Sequence, residues 1–81
     1  MNLYDMILLL AAENQLHCLW RVCLRNNISY GHAHEIVTRA KLFGHLLSEK
    51  NCNAQGKPIN FSITPLGKEY LHSKYPERIT L

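Results

Sequence analysis

The segment between residues 31 and 43 contains a run of polar side chains with ligand-binding chemistry. If it is helical, His34, Thr38 and Arg39 share one face, together with Glu35 and Lys41. The guanidinium of Arg39 has the geometry to bind O6 and N7 of one guanine base. Glu35 can accept a hydrogen bond from a cytosine amino group, and Lys41 can contact phosphate. These residue types favour contact with double-stranded nucleic acid.

An apolar stripe on the opposite face predicts that this segment is a helix. Ala33, Ile36, Val37 and Ala40 follow the i, i+3, i+4, i+7 spacing of a buried helical face. Gly44 is then expected to end the helix in the left-handed conformation. A helix with a buried back and a polar front, followed by a strand, suggests a recognition helix that leads into a wing.

Further cations are expected to contact the nucleic acid backbone from neighbouring elements. Arg25 lies in the preceding helical segment, and Lys50 and Lys57 lie in or beside the loop of a predicted hairpin. Residues 15–57 have six Lys and Arg against two Glu, which places +4 there in a chain of net charge +3. This distribution is compatible with a polyanionic partner but does not require one.

Two other interpretations of the same helix face remain open at this stage. Leu42 shares the face with the polar residues, and an exposed leucine suits a protein partner better than a phosphate group. A module that binds and modulates a partner protein is therefore the alternative prediction. The face could also be solvated and without any partner.

Four helices and one β-hairpin are predicted along the chain. The helices are expected at about residues 3–13, 15–26, 31–43 and 65–75, and the hairpin at about 45–63. Ile59, Phe61 and Ile63 alternate with polar residues, as in a half-buried strand. Thr64-Pro65 is a typical helix start. The prediction is one mainly α domain with a small β-hairpin (α+β), in the order helix-helix-helix-hairpin-helix.

This order and several motifs resemble the winged helix-turn-helix domains of bacterial MarR-type and PadR-type regulators. The likeness rests on Cys23-Leu24 with Ile36-Val37, on the entry to the hairpin after Gly44, and above all on SITPLGKEYL, residues 62–71. It covers roughly residues 3–74. The resemblance implies a sequence-specific, double-stranded DNA-binding transcriptional regulator, and the small size suits one from a mobile element. His45 departs from the aliphatic residue more usual after the glycine.

The first helix is predicted to form a homodimer interface as well as part of the core. Leu8 and Leu9 lie off the stripe formed by Leu3, Met6, Ile7 and Leu10, so the helix is apolar almost all round. It should therefore be either central in the fold or in contact with a second subunit. The predicted core comprises Leu3, Met6, Ile7, Leu10, Leu16, Trp20, Val37, Leu46, Phe61, Ile63, Leu66 and Tyr70.

Several other classes of function have little support in the sequence. The five histidines and three cysteines show no recognised zinc spacing, so no metal or other cofactor is predicted. The six acidic residues form no evident dyad, and no phosphate-binding glycine loop is present, so an enzyme is not expected. No apolar run approaches the ~20 residues of a membrane span. We therefore predict a cytoplasmic protein with reduced cysteines.

Overall fold

Asn2 caps the first helix in the computed structural model, which describes residues 1–49 and 60–81. Its side chain accepts a hydrogen bond from the Asp5 backbone N–H at 2.7 Å. The elements of the described residues are, in chain order, α1 (Leu3–Ala12), α2 (Leu19–Asn26), α3 (Tyr30–Leu42), β1 (Leu46–Glu49), β2 (Asn60–Ile63) and α4 (Pro65–Lys74). The prediction of a mainly helical α+β chain with a hairpin is confirmed.

Helix α1 is central, which explains why it is apolar on nearly every side. It packs against α3, β2 and α4, and Ile7, Leu8 and Ala11 are buried. The sequence left two explanations open, a central position or a second subunit. Burial within the chain accounts for Leu8 without a second subunit.

Helix α2 is shorter than predicted because the chain between the first two helices is not helical. Asn14 adopts a left-handed conformation with φ of 57°, and α2 begins only at Leu19. The intervening Leu16 is fully buried, and its carbonyl accepts a hydrogen bond from the backbone N–H of Phe61 at 3.0 Å. This segment therefore runs beside β2 and does not extend α2.

The turn between α2 and α3 is short. Asn27 ends α2 in the left-handed conformation, with φ of 56° and ψ of 47°. Ile28 is partly buried against the core, and Ser29 precedes the first turn of α3. Three residues thus connect the two helices, a length typical of helix-turn-helix units.

The hairpin joins the end of α3 to the start of α4. Gly44 has φ of 77°, as predicted, and β1 pairs antiparallel with β2 from Leu46 opposite Ile63 to Glu49 opposite Asn60. Thr64 then caps α4, because its hydroxyl accepts from the Gly67 N–H at 3.0 Å. The same hydroxyl donates to the Gly44 carbonyl at 2.6 Å. It therefore connects the two turns at one end of the hairpin.

The residues after α4 pack back against the domain. Ile79 is buried in the core, and the carbonyl of Ile79 accepts a hydrogen bond from Nδ1 of His72 at 2.6 Å. The chain after α4 therefore contributes to the core through Ile79.

Most of the predicted core is buried or partly buried, and two residues are corrections. Trp20 and Leu66 are largely exposed, with Trp20 retaining 57% of its accessible surface. Trp20 was placed inward by its spacing from Leu16, a relation that holds only if both residues share a helix. Since α2 begins at Leu19, its inner face is formed by Leu19, Val22 and Cys23.

Candidate nucleic-acid interface

The outer face of α3 carries five of the side chains predicted to contact nucleic acid. His34, Glu35, Thr38, Arg39 and Lys41 are all exposed. The opposite face of the helix is held by the buried residues Ala33, Ile36, Val37 and Ala40. The structure therefore presents the polar face to solvent on a helix that is anchored along its back.

Two contacts within α3 fix part of this face. Nη2 of Arg39 lies 3.5 Å from Oε1 of Glu35 one turn earlier, and both side chains are more than half exposed. Such an exposed pair adds little stability. The Thr38 hydroxyl donates to the His34 carbonyl at 2.9 Å, so Thr38 is partly engaged by its own helix. In this arrangement one nitrogen of the Arg39 guanidinium lies beside the Glu35 carboxylate.

Arg39 and Lys41 lie on different flanks of α3, because residues two apart on a helix point well away from each other. Lys41 lines a hollow of about 260 Å³ formed with the start of α2 and the hairpin. Arg39 lines another hollow, of about 270 Å³, with Tyr4, Phe43 and His45. His34 and Thr38 line the hollow of Lys41, and they also line a further hollow on the outer face together with Arg39. The predicted set is therefore a wide surface with a cation at each side.

The remaining predicted cations are placed differently. Arg25 lies in the last turn of α2 and lines a separate hollow with Arg21 and His17. Lys50 and Lys57, and the loop predicted at residues 51–57, lie outside the described residues. The structure thus brings together the five α3 residues and leaves Arg25 on a neighbouring surface.

The predicted dimer interface on α1 needs correction at Leu8. This side chain is 0% exposed, and Leu9 is partly buried against the same core. Leu8 cannot contact a second subunit without leaving the core. The exposed apolar side chains lie elsewhere, with Leu42 at 82% exposure, Phe43 beside it, and Leu66 next to Gly44.

A buried carboxylate, which the sequence interpretation missed, joins α1 to α4. Asp5 is 0% exposed and accepts hydrogen bonds from the hydroxyls of Tyr70 and Tyr75, each at 2.6 Å. Nζ of Lys74 lies 3.3 Å from the same carboxylate. Burial acts to raise the pKa of Asp5, but these hydrogen bonds and the Lys74 charge outweigh it and hold that pKa below its usual value.

The aromatic residues around this carboxylate also position the end of α3. The ring of His45 stacks on Tyr70 with centroids 4.8 Å apart. Nδ1 of His45 and the hydroxyl of Tyr4 are joined by a hydrogen bond of 2.7 Å. Burial and the neighbouring Tyr70 and Asp5 raise the pKa of Tyr4. The unusual histidine after Gly44 therefore packs α1, α4 and the hairpin entry together.

Other exposed residues near α3 were also missed. Trp20 and Tyr30 both line the hollow that contains Lys41, and Tyr30 lies beside His34 with ring centroids 6.0 Å apart. Arg21, which lines the hollow that contains Arg25, was also not predicted as a site residue. The available signal was the absence of acidic residues between residues 15 and 34, where all charged side chains are arginines.

Comparison with known proteins adds no assignment to this site. No family model matches the chain, and neither a curated protein nor a solved structure matches it. Within residues 1–49 and 60–81, no group of three or more His, Cys, Asp or Glu side chains is arranged to hold a metal ion. No helix in these two ranges has the length and apolar character needed to cross a membrane.

Proposed function

We propose that this chain is a winged helix-turn-helix protein that binds double-stranded DNA and acts as a sequence-specific transcriptional regulator. The observation that carries the proposal is the exposed polar face of α3 on a helix whose back is fully packed. Helix α2, the three-residue turn and α3 then form the helix-turn-helix, and β1 and β2 form the base of the wing.

The dimensions of α3 suit this role. Its 13 residues span about 20 Å, and the major groove is about 12 Å wide, which admits one helix. Arg39, Thr38 and His34 would face base edges, and Glu35 would accept from a cytosine amino group once its pair with Arg39 opens. Lys41 and Arg25 would contact phosphates. We still expect Lys50 and Lys57 to contact the DNA backbone.

A mobility-shift titration with random and selected duplexes at several salt concentrations tests this proposal. If about 4–6 phosphates are contacted, log K should fall against log salt with a slope of about −4 to −5. A duplex selected from a random pool should bind more tightly than the pool itself. A flat salt response, or failure to enrich any sequence, would overturn the proposal.

A second candidate function, the binding of a partner protein, is favoured by the apolar residues at the end of α3. Leu42, Phe43 and Leu66 are all exposed at the junction of α3 with the turns around Gly44 and Thr64. Exposed apolar surface of this kind marks contacts with proteins, including a second copy of the chain in a homodimer. Sedimentation of wild type and Leu42→Glu would test self-association. A wild-type protein that remains monomeric at high concentration would remove the homodimer.

A further inference from the structure

We infer that the surface around the start of α2 binds single-stranded nucleic acid. This surface shares His34, Lys41 and Arg25 with the proposed duplex site, but Arg39 does not line it. The two hollows that meet at Cys18, the residue preceding α2, form this surface. We call it the α2 track. Its aromatic and basic side chains are Trp20, Tyr30, His34 and Lys41 in one hollow and His17, Arg21 and Arg25 in the other.

The aromatic half of the α2 track has the properties of a base-stacking platform. Trp20 and Tyr30 are both largely exposed, although aromatic side chains of this size usually gain much from burial. They line one hollow of about 260 Å³, with Val37 and Phe61 among its other lining residues. This volume is below the usual range for drug-sized ligands and suits a single flat ring system.

The charge of the α2 track points to a polyanion. Three cations, Arg21, Arg25 and Lys41, are distributed over the two hollows, and no Asp or Glu lines either hollow among the described residues. Helix α2 itself has no acidic residue. Phosphates along a flexible strand can follow such a curved basic surface, whereas exposed bases can stack on the aromatic rings.

Single-stranded nucleic acid is favoured over an acidic protein because exposed aromatic side chains and cations are present together in one continuous surface. An acidic protein would use the cations, but only some of its residues have flat rings, whereas every nucleotide has both a phosphate and a flat base. A duplex would also use the cations, but its bases are already stacked on one another. A single strand therefore accounts most directly for a hollow that Trp20 and Tyr30 line together with Lys41.

Trp20 is the only tryptophan of the chain, so its fluorescence reports directly on the proposed stacking. Oligothymidylate and oligouridylate should each quench this emission at low salt, and polyglutamate, which has charge but no bases, should not. Binding of either oligonucleotide with quenching supports the inference. No binding of either one, or equal binding of polyglutamate, overturns it.

Substitutions separate stacking from charge in an anisotropy assay with a labelled oligonucleotide. Trp20→Leu should weaken binding about 5- to 150-fold, the range for losing one stacked base, and Trp20→Phe should restore part of the loss. Arg21→Ala should make the salt slope shallower by about 0.7. Leu24→Ala is the matched control, because Leu24 is exposed on α2 but lines neither hollow. Equal affinities for Trp20→Leu and Leu24→Ala would overturn the assignment.

The same variants distinguish this inference from the proposed duplex binding. Arg39→Ala should weaken duplex binding and leave single-strand binding unchanged, because Arg39 lies on the other flank of α3. Trp20→Leu should weaken single-strand binding and leave duplex binding unchanged. If duplex binding fails and Trp20 is still quenched by oligothymidylate, the inference stands without the proposed function. Loss of both activities in Arg39→Ala would show that single strands bind on the Arg39 flank of α3, and it would overturn the assignment to the α2 track.

Discussion

The hydroxyl of Tyr70 donates a hydrogen bond to Oδ1 of Asp5 at 2.6 Å, between residues 65 positions apart in the chain. This bond lies in the interior of the domain, where Tyr75 satisfies the other carboxylate oxygen. A buried charge is tolerated only when its hydrogen-bonding capacity is filled. The pair therefore fixes the first turn of α1 against α4 and the residue that follows it.

Tyr70→Phe should lower the free energy of unfolding by about 1.5–3 kcal/mol, because a hydrogen bond to a buried charged acceptor is lost without replacement. Urea denaturation at neutral pH measures this change. Tyr30→Phe is the control, since the Tyr30 side chain is exposed on α3 and should change stability by less than about 0.5 kcal/mol. Similar small effects for both variants would show that the bond to Asp5 contributes little.

The lowered pKa of Asp5 predicts a specific acid sensitivity. A group whose folded pKa lies below its unfolded value stabilises the protein above the unfolded pKa, about 3.9, and this stability is lost as pH falls through the folded pKa. Asp5→Asn should be less stable than wild type at neutral pH, and its stability should fall less steeply below about pH 4. Urea titrations over a pH series measure both slopes. If the stability of wild type and of Asp5→Asn fell in parallel as the pH was lowered, Asp5 would not be the source of the acid sensitivity.

Gly67 and Gly31 should respond oppositely to the same substitution. A Cβ at Gly67 would lie 2.5 Å from the His45 carbonyl oxygen and 2.8 Å from the Ile63 side chain, so Gly67→Ala should cost about 1–3 kcal/mol. A Cβ at Gly31 meets nothing within 4 Å, and Gly31→Ala should stabilise α3 by about 0.5–1 kcal/mol. Thermal unfolding of both variants gives the comparison. A tolerated Gly67→Ala would mean that α4 does not approach the hairpin this closely.

Substitution of Leu8 tests whether this residue stabilises the core of one chain or an interface between two chains. Leu8→Ala should lower the free energy of unfolding by about 2–5 kcal/mol, because a fully buried leucine leaves a cavity. The loss should not depend on protein concentration. If Leu8 instead stabilised a dimer, the effect would disappear in dilute solution, where wild type would also be monomeric.

Arg39 should contribute to sequence recognition by the proposed duplex site. Arg39→Ala should cost about 1–3 kcal/mol on a selected duplex and much less on random DNA. Lys68→Ala removes the same charge from an exposed position on α4. It should leave the ratio of the affinities for the selected duplex and for random DNA unchanged. Glu35→Gln should strengthen binding to random DNA, because it removes a negative charge and frees Arg39 from its ion pair. Equal losses on both duplexes for Arg39→Ala would make Arg39 a backbone contact.

Local signals in the sequence predicted much of the secondary structure. Gly44 and Thr64 mark helix boundaries through their backbone and side-chain preferences, and each is found in the role predicted for it. The strand alternation around Phe61 was also readable, because half-buried strands have a period of two. These features depend on a few neighbouring residues, which is why one sequence suffices to identify them.

Features that depend on distant residues were not predictable in the same way. The spacing of Trp20 from Leu16 suggested a shared inner face, but Leu16 pairs with Phe61 and lies outside the helix. Asp5 is a common first-turn residue, and nothing beside it in the chain shows that its partners lie on and just after α4. The polar face of α3 was predictable from periodicity, whereas the hollow lined by Trp20 and Lys41 depends on the packing of α2 against α3 and on the position of the hairpin beside them.

The contact between Asp5 and the end of α4 also has a consequence for how the domain opens. Helix α1 has its polar anchor on the last helix and on the residue that follows it. Neither α1 nor α4 can therefore detach without removing a hydrogen-bond partner from the other. In hydrogen exchange, the amides of α1 and α4 should share one protection level and exchange through one cooperative opening. The outer turns of α2, which lack this connection, should exchange sooner.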